Sequence, residues 1–159
     1  ESLKAFALWS MGSLNGVTIE QLPVIFLVFI LGGVASLFIV NPLNLLVLGE
    51  EECRLMGYNV KRLRLMIVFI TALFTGLITA FCGPIAFIGL AIPNLTRMLF
   101  KTQDHKLLLI ANLLFGALFL LSCDILIQLL SAWILIPINA LTSLIGAPFV
   151  IYILIRKIR

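Results

Sequence analysis

The chain has 159 residues, of which 62% are apolar and only 11% are charged, with a formal net charge of +4. This composition excludes an ordinary soluble domain, and the apolar runs lack the alternation that strands of a membrane barrel would show. A helix that crosses a bilayer core needs about 20 mostly apolar residues, a length that several segments approach. We therefore predict an all-α fold, a polytopic transmembrane helix bundle of about five membrane-crossing helices with short coupling and interfacial helices.

Five apolar segments, taken in chain order, are predicted to cross the membrane. An outer interfacial segment at residues 1–21 precedes the first crossing, which should end at the helix breaker Asn41-Pro42. Pro84 suits the first position of the third helix. The predicted crossings are residues 22–40, 65–82, 84–100, 107–130 and 138–155.

The distribution of basic residues predicts the sidedness of these crossings. If residues 84–100 cross, every lysine and arginine except Lys4 lies on one side, which the positive-inside rule makes the cytoplasm. If they do not cross, the same residues divide four against seven. We therefore expect an outer amino end and a cytoplasmic carboxyl end, with Trp9 and Trp133 as outer interfacial anchors. Positive charge that flanks spans in this way does not indicate nucleic-acid binding.

A charged island at residues 49–64 separates the first two crossings. Gly49 can open a short helix whose first turn holds three glutamates, where carboxylates stabilise the positive end of the helix dipole. Gly57 suits a left-handed cap that ends this helix. The predicted product is a rigid two-turn knob. From charge alone, an ordinary loop that only sets the orientation of the chain is the simpler interpretation.

One face of the second predicted crossing repeats small and hydroxyl residues at every fourth position, which allows another helix to approach closely. The repeat contains Thr71, Thr75 and Thr79 beside Gly76. It has two interpretations. The sharper one is a wall of a translocation pathway, and the simpler and favoured one is a helix-packing seam.

Two other features of the apolar segments also have a functional and a structural interpretation, and a third residue, Asp104, has a structural one. Asp124 is the only acid within a predicted crossing, and an outer-mouth or structural role is favoured over an ion site. Gly146 and Pro148 predict a break or kink in the last helix, which serves either as a gate or for close packing. Asp104 is the predicted N-cap of the helix that begins near His105.

The sequence offers no set of residues that indicates catalysis. The crossings contain no Ser/His/Asp set, no paired carboxylates and no metal-ligand cluster, and the three cysteines lie far apart. The chain also has no GxxxxGK[ST] phosphate-binding loop. We therefore predict no catalytic residue, no metal and no cofactor in this chain.

Five segments resemble the motifs of one membrane-protein family. They are residues 9–14 (WSMGSL), 43–57 (LNLLVLGEEECRLMG), 83–97 (GPIAFIGLAIPNLTR), 104–106 (DHK) and 145–152 (IGAPFVIY). The family is the FecCD/BtuC-like permease subunits of bacterial ABC importers for iron-siderophores, haem and vitamin B12. The resemblance covers nearly the whole chain, and the motifs keep the order and spacing of the family.

The resemblance implies that the chain corresponds to the C-terminal half of a ten-helix permease in the bacterial inner membrane. It implies that the cytoplasmic coupling loop, residues 43–64, contacts an ATP-binding cassette ATPase dimer that hydrolyses ATP. It further implies a periplasmic substrate-binding protein at the outer face, and a second permease copy that forms a homodimer in the full-length form. The chain itself is expected to be a transport subunit in the lipid bilayer and not an enzyme.

The resemblance also assigns roles to residues of this chain. The ATPase-coupling residues would be Gly49, Glu50, Glu51, Arg54, Leu55 and Gly57. The residues of the translocation path or of helix packing would be Thr71, Thr75, Gly76, Thr79, Gly83, Gly89, Pro93, Asn94, Gly146 and Pro148. Asp124 and Gln128 would belong to the outer docking site of the binding protein.

Two positions depart from the family pattern. Asn94 stands where the family usually has histidine. Gln128 stands where relatives often have an arginine that can pair with an acidic residue of the binding protein, so such a pair cannot form here at Gln128.

The leading hypothesis is therefore a permease subunit that imports an iron chelate, a siderophore or haem, across the inner membrane. A vitamin B12 importer permease of the same family is one alternative. A stand-alone five-helix channel or scaffold protein is another. An intramembrane enzyme is disfavoured because the crossings contain no catalytic cluster.

Overall fold

The structure, a computed structural model, describes residue 6, residues 9–14, residues 16–131 and residues 137–158. These contain six helices and no strand, which confirms the predicted all-α class. The helices are α1 (Leu22–Leu48), α2 (Glu50–Leu55), α3 (Val60–Cys82), α4 (Ile88–Phe100), α5 (His105–Leu130) and α6 (Ile138–Ile158). The predicted anchor Trp133 and the cation Lys4 lie outside the described residues.

Three helices, α1, α3 and α5, are long and apolar enough to cross a membrane. The apolar helix α4 has 13 residues, about 20 Å at 1.5 Å per residue, which is shorter than a bilayer core. The apolar part of α6, Ile138–Tyr152, is also short by this measure. The five crossings and their limits therefore remain a prediction.

The helices pack in two groups that share α5. Helix α1 contacts α2, α3 and α5, while α4 contacts α5 and α6. Most large apolar side chains of these helices are exposed in the isolated chain. Exposed apolar surface of this extent suits a membrane protein, whose helices face lipid or other membrane helices.

Helix α1 does not end at Asn41-Pro42 as the sequence predicts, but continues through Pro42 to Leu48. A proline inside a helix removes one hydrogen-bond donor and costs about 3 kcal/mol. Tertiary packing offsets this cost, because Ile39, Val40 and Pro42 are buried. Proline is also tolerated in membrane helices because neighbouring helices re-satisfy the freed backbone groups.

Helix α4 begins at Ile88, so the prediction that Pro84 opens this helix is wrong. Gly83 and Phe87 both have positive φ, of 76° and 66°, which interrupts helical geometry between α3 and α4. The backbone N–H of Ala86 donates to Oδ1 of Asn139 in α6, at 3.1 Å. A contact with a distant helix thus satisfies a donor that a helical turn would otherwise use.

The starts of α3 and α5 precede the limits of the predicted crossings. Helix α3 begins at Val60 and not at residue 65, since the Asn59 side chain accepts the backbone N–H of Arg62 and caps a charged first turn. Helix α5 begins at His105, where the sequence predicts its start, two residues before the predicted crossing. Its N-cap is Asp104, which confirms the predicted cap.

Helix α6 continues through Pro148, so the helix is not broken at Gly146 and Pro148, and the predicted kink there stays a prediction. The glycine is instead a point of close packing. A Cβ at Gly146 would lie 2.6 Å from Cβ of Phe87, the residue before α4. This contact favours the structural interpretation of Gly146 over a gate.

The ends of the helices meet at two opposite ends of the bundle. At one end, Asn44 near the end of α1 hydrogen-bonds Asp104 and His105 at the start of α5. We call this the basic end, because it carries Lys61, Arg62, Arg64, Arg97, Lys101 and Lys106. At the far end, the N–H of Ser13 donates to the carbonyl of Cys82 at 2.9 Å, and Trp9 Nε1 donates to the carbonyl of Thr79 at 3.1 Å.

Candidate coupling site

The predicted knob forms at the basic end. We use this name for residues 49–57, which comprise α2 and its flanking glycines. Gly57 has φ 86°, and its N–H donates to the carbonyl of Arg54 at 2.9 Å, so a left-handed glycine ends the helix as predicted. The N–H of Tyr58 donates to the carbonyl of Cys53 at 3.1 Å. These bonds fix the point at which the chain leaves the knob.

A buried cysteine anchors the knob to the bundle. Cys53 is fully buried and packs with Ile39 of α1 and with Val60 and Leu63 of α3. Burial of four apolar side chains in one cluster contributes several kcal/mol and joins α2 to both neighbouring helices. We infer that a force on α2 is transmitted to α1 and α3, because packed side chains resist deformation.

Ion pairs also attach the first turn of the knob to α3. Glu50 pairs with Arg54 within α2 at 3.6 Å and accepts a hydrogen bond from Arg64 of α3. The side chains are largely exposed, so each pair contributes at most about 1 kcal/mol. Glu51 is exposed and has no ion pair among the described residues.

The tip of the knob is apolar and exposed. Leu55 is 87% exposed and Met56 is 69% exposed, at the basic end of the bundle and beside exposed charged residues. An apolar tip on a rigid, capped helix suits insertion into a cleft of another protein, since removal from water stabilises such a contact. Leu55 was among the predicted coupling residues, whereas Met56, which follows the helix, was not distinguished by the local pattern.

Asn44 connects the end of α1 to the start of α5. Its Nδ2 donates to Oδ1 of Asp104 at 2.8 Å, and its Oδ1 accepts the backbone N–H of His105 at 2.8 Å. Nδ1 of His105 lies 2.7 Å from the same oxygen. The N–H of Lys106 and the Asn44 amide hold the pKa of the Asp104 carboxyl below its usual value, so Asp104 stays ionised at neutral pH.

Neither Asn44 nor Cys53 was predicted to be functional from the sequence. An amide within the apolar stretch 43–48 is the signal that could have identified Asn44, because a polar group in such a place requires a partner. The partner itself lies 60 residues away and is visible only in the fold. Cys53 carries no comparable signal, since a lone thiol in a charged segment predicts no particular contact.

The predicted path residues divide into packed and open positions. A Cβ at Gly83 would overlap the carbonyl oxygen of Trp9, whereas a Cβ at Gly76 or Gly89 would have no described atom within 4 Å, apart from its chain neighbours and the backbone of its own helix. Thr71 Oγ1 donates to backbone carbonyls of its own helix, at 2.9 and 3.0 Å. The proposed stripe on α3 is thus not covered by another helix of this chain among the described residues.

Two polar side chains of α4, those of Thr96 and Asn94, hydrogen-bond α5 or the backbone of α4. Thr96 is fully buried, and its Oγ1 donates to Oδ1 of Asn112 in α5 at 2.5 Å. Asn94 Nδ2 donates to the carbonyl of Leu90, four residues earlier, at 2.7 Å. Pro93 lies inside α4, directly before Asn94. The Asn94 side chain therefore bonds within its own helix.

The two predicted outer residues bond each other. Gln128 Nε2 donates to Oδ2 of Asp124 at 2.7 Å, one turn apart in α5. This bond partly satisfies the only acid of the predicted crossings. Within the residues that the structure describes, no group of three His, Cys, Asp or Glu side chains could hold a metal ion.

The predicted coupling, outer docking and path residues therefore lie in separate parts of the bundle. The six coupling residues all belong to the knob, while Asp124 and Gln128 lie near the opposite end of α5. The predicted path residues are spread over α3, the segment before α4, α4 and α6. The structure brings Gly83 and Gly146 into tight contacts but does not gather the predicted path residues around one cavity among the described residues.

Comparison with known proteins identifies the family of this chain. Residues 1–156 match the FecCD transport family. The chain is 37% identical over 157 residues to a hemin transport system permease protein of Yersinia pestis, covering 99% of the chain and 47% of that protein. It is 37% identical over 156 residues to a vitamin B12 import system permease protein of Klebsiella pneumoniae, covering 98% of the chain and 46% of that protein.

A third relative is an Fe(3+) dicitrate transport system permease protein of Escherichia coli, 33% identical over 149 residues. That match covers 94% of the chain and 46% of the relative. The chain thus spans about half the length of the curated relatives that it matches. Because the family match covers almost every residue, the chain belongs to the FecCD transport family.

Proposed function

We propose that the chain forms part of a permease subunit of an ATP-driven importer that carries an iron chelate, a siderophore or haem. The observation that carries this proposal is the knob, a capped helix with an exposed apolar tip and a buried anchor between α1 and α3. In this proposal the knob inserts into a separate ATPase, and the permease itself hydrolyses nothing. The coupling region is residues 43–64.

The geometry of the knob explains how it transmits motion. When the ATPase subunits close on ATP, a displacement of α2 reaches α1 and α3 through Cys53 and its neighbours. Asn44 passes the displacement of α1 to the start of α5 through its bonds to Asp104 and His105. The helices that line or flank the pathway would then shift together, which alternates access from one side of the membrane to the other.

Two further partners complete the proposed assembly. A substrate-binding protein would dock at the far end, near Asp124 and Gln128. A second permease copy would form a homodimer with the full-length subunit. The uncovered face of α3 with Thr75 and Gly76 is available for another helix, either from the rest of the permease or from the second copy.

The proposed orientation places the basic end in the cytoplasm of a bacterial cell, with the carboxyl end on the same side. It is supported by the cations at the basic end, which the positive-inside rule assigns to the cytoplasmic face. The inner membrane is the expected location. A soluble ATPase reaches the knob only in this orientation.

The relatives support the substrate class but divide on its detail. Their names include hemin, vitamin B12, iron(3+)-hydroxamate and Fe(3+) dicitrate transport. Together with a cobalamin import system permease protein of Halobacterium salinarum, three of these names refer to an iron compound and two to vitamin B12 or cobalamin, which favours an iron chelate by one name. Vitamin B12 remains the second candidate, because the B12 permease matches this chain at 37% identity, equal to the hemin permease.

Substitution of Leu55 tests the proposed function in the full-length permease, assembled with its ATPase and reconstituted in vesicles. We expect Leu55→Asp to lower ATP-driven chelate uptake about tenfold or more, because it places a charge in a contact that buries a leucine. The melting temperature should stay unchanged, since Leu55 is 87% exposed in the free chain. Leu55→Met is the matched control and should retain uptake.

Two outcomes would contradict the proposal. Full uptake by the Leu55→Asp variant would show that the tip of the knob contacts no motor. Ion conductance through the vesicles without any ATPase would favour the stand-alone channel instead.

A further inference from the structure

A polar cleft of about 440 Å³ opens at the basic end, beside the knob. It lies between the last turn of α1 and the turn that joins α4 to α5. Its lining residues are Val47, Arg97, Lys101, Thr102, Gln103 and His105. The coupling hypothesis does not use this cleft, since none of its lining residues belongs to the knob.

The charges of the cleft favour an anion. Arg97 and Lys101 line it, and no acidic side chain does. Neither cation forms an ion pair with any carboxylate in the described ranges. The nearest carboxylate in the sequence, that of Asp104, is already bound to the Asn44 amide and to the N–H of Lys106. The Asp104 carboxylate stays ionised but does not line the cleft, so the two cations that do line it favour an anionic ligand.

The neutral lining residues add hydrogen-bond donors. The Thr102 hydroxyl oxygen accepts the N–H of Asp104 at 3.1 Å, which leaves its own hydrogen available for a ligand. The Gln103 amide supplies two further N–H groups. A guanidinium, an ammonium, a hydroxyl and an amide together form a donor set that suits the oxygens of a phosphate group.

Apolar surface lies directly beside these donors. Val47 forms part of the cleft wall, and Leu99 and Phe100, which are exposed and immediately precede Lys101 in the chain, lie outside the lining. The cleft therefore joins a lipid-facing apolar surface to a cationic end, as the boundary between acyl chains and headgroups does. Basic pockets between membrane helices on the cytoplasmic side bind anionic lipid headgroups by this arrangement.

We propose that this cleft binds the phosphate group of an anionic phospholipid, with Arg97 and Lys101 as its ligands and Val47, Leu99 and Phe100 against its acyl chains. Free phosphate shares the same chemistry but lacks the apolar contact. The inference goes beyond the proposed transport function and does not depend on the identity of the substrate. A lipid bound there would contact the last turn of α1 at Val47, and the knob begins two residues later at Gly49.

The test is native mass spectrometry of the full-length permease, assembled with its ATPase and released from nanodiscs that contain phosphatidylglycerol and phosphatidylcholine. We expect the parent protein to retain phosphatidylglycerol. The double variant Arg97→Gln/Lys101→Gln should lower the retained fraction about tenfold or more, because each basic residue near an anionic lipid contributes a factor of about five.

The control removes the same charge from the same end. Lys61→Gln/Arg62→Gln deletes two exposed cations from the first turn of α3, outside the cleft. We expect this variant to change retention less than about twofold. An equal loss in both double variants would show a diffuse charge effect and would overturn the proposed site. Lys101→Gln alone should give an intermediate loss, which provides a readout if the double variant unfolds.

Two additional measurements distinguish other occupants of the cleft. Retained phosphatidylglycerol in the presence of excess inorganic phosphate supports the lipid, whereas its displacement by inorganic phosphate would overturn the lipid assignment. Loss of the lipid when the ATPase is added to the free permease would show that the ATPase covers the cleft, and would likewise overturn it.

Discussion

Replacement of Gly57 with proline is expected to abolish the stimulation of the ATPase by the full-length permease. Gly57 has φ 86°, while proline fixes φ near −65°, so the substitution forces the chain to leave α2 in another direction. Proline also removes the N–H that donates to the carbonyl of Arg54. The cost of about 3 kcal/mol falls on the cap of the knob, because a Cβ at Gly57 would meet no atom of the described residues within 4 Å, apart from its chain neighbours.

The measurement is ATP hydrolysis and uptake by the assembled transporter, with Gly57→Asn as the control at the same position. Asparagine keeps the N–H and tolerates left-handed backbone better than other residues with a side chain, so we expect it to retain most of the coupling. If Gly57→Pro folds, assembles and still stimulates hydrolysis as the parent does, the geometry of the knob is not what transmits motion.

Replacement of Gly83 with alanine is expected to lower the free energy of unfolding by about 2–4 kcal/mol. Gly83 has φ 76°, and an added Cβ would overlap the carbonyl oxygen of Trp9 and lie 3.1 Å from Cα of Gly12. These atoms belong to the backbone, which cannot rotate away as a side chain can. The substitution should therefore displace residues 9–13 from the far end of α3.

The matched control is Gly89→Ala, within α4. Apart from its chain neighbours and the backbone of its own helix, no described atom lies within 4 Å of a Cβ at Gly89, so alanine should be neutral or raise stability by up to about 1 kcal/mol through its higher helix propensity. Thermal unfolding of the detergent-solubilised full-length permease measures both variants. Equal melting temperatures for the two variants would contradict the packing interpretation of Gly83 and return it to the candidate path residues.

The parts of the structure that local chemistry determines were predictable from the sequence. Glutamates after Gly49 and a glycine at position 57 specify a short helix with both ends defined, and the structure contains it. Asp104 was predictable as a cap for the same reason, because its side chain bonds the N–H of Lys106 only two residues away.

The parts that depend on distant contacts were not predictable. Helix α1 continues through Pro42 because its neighbours are buried, and α4 begins late because Asn139 accepts the N–H of Ala86. The bonds of Asn44 to Asp104 and His105 join residues 60 and 61 positions apart. No periodicity within a short window contains this information, and each of these features requires the packed bundle.

Site-specific photo-crosslinking measures whether the knob docks on a motor protein. A photoreactive residue replaces Leu55 in the full-length permease, and Leu129, which is also exposed but lies near the other end of α5, serves as the comparison position. We predict a covalent adduct with the ATPase subunit from position 55 and none from position 129. Absence of the adduct at position 55, or an equal adduct at both positions, would contradict a coupling role for the knob.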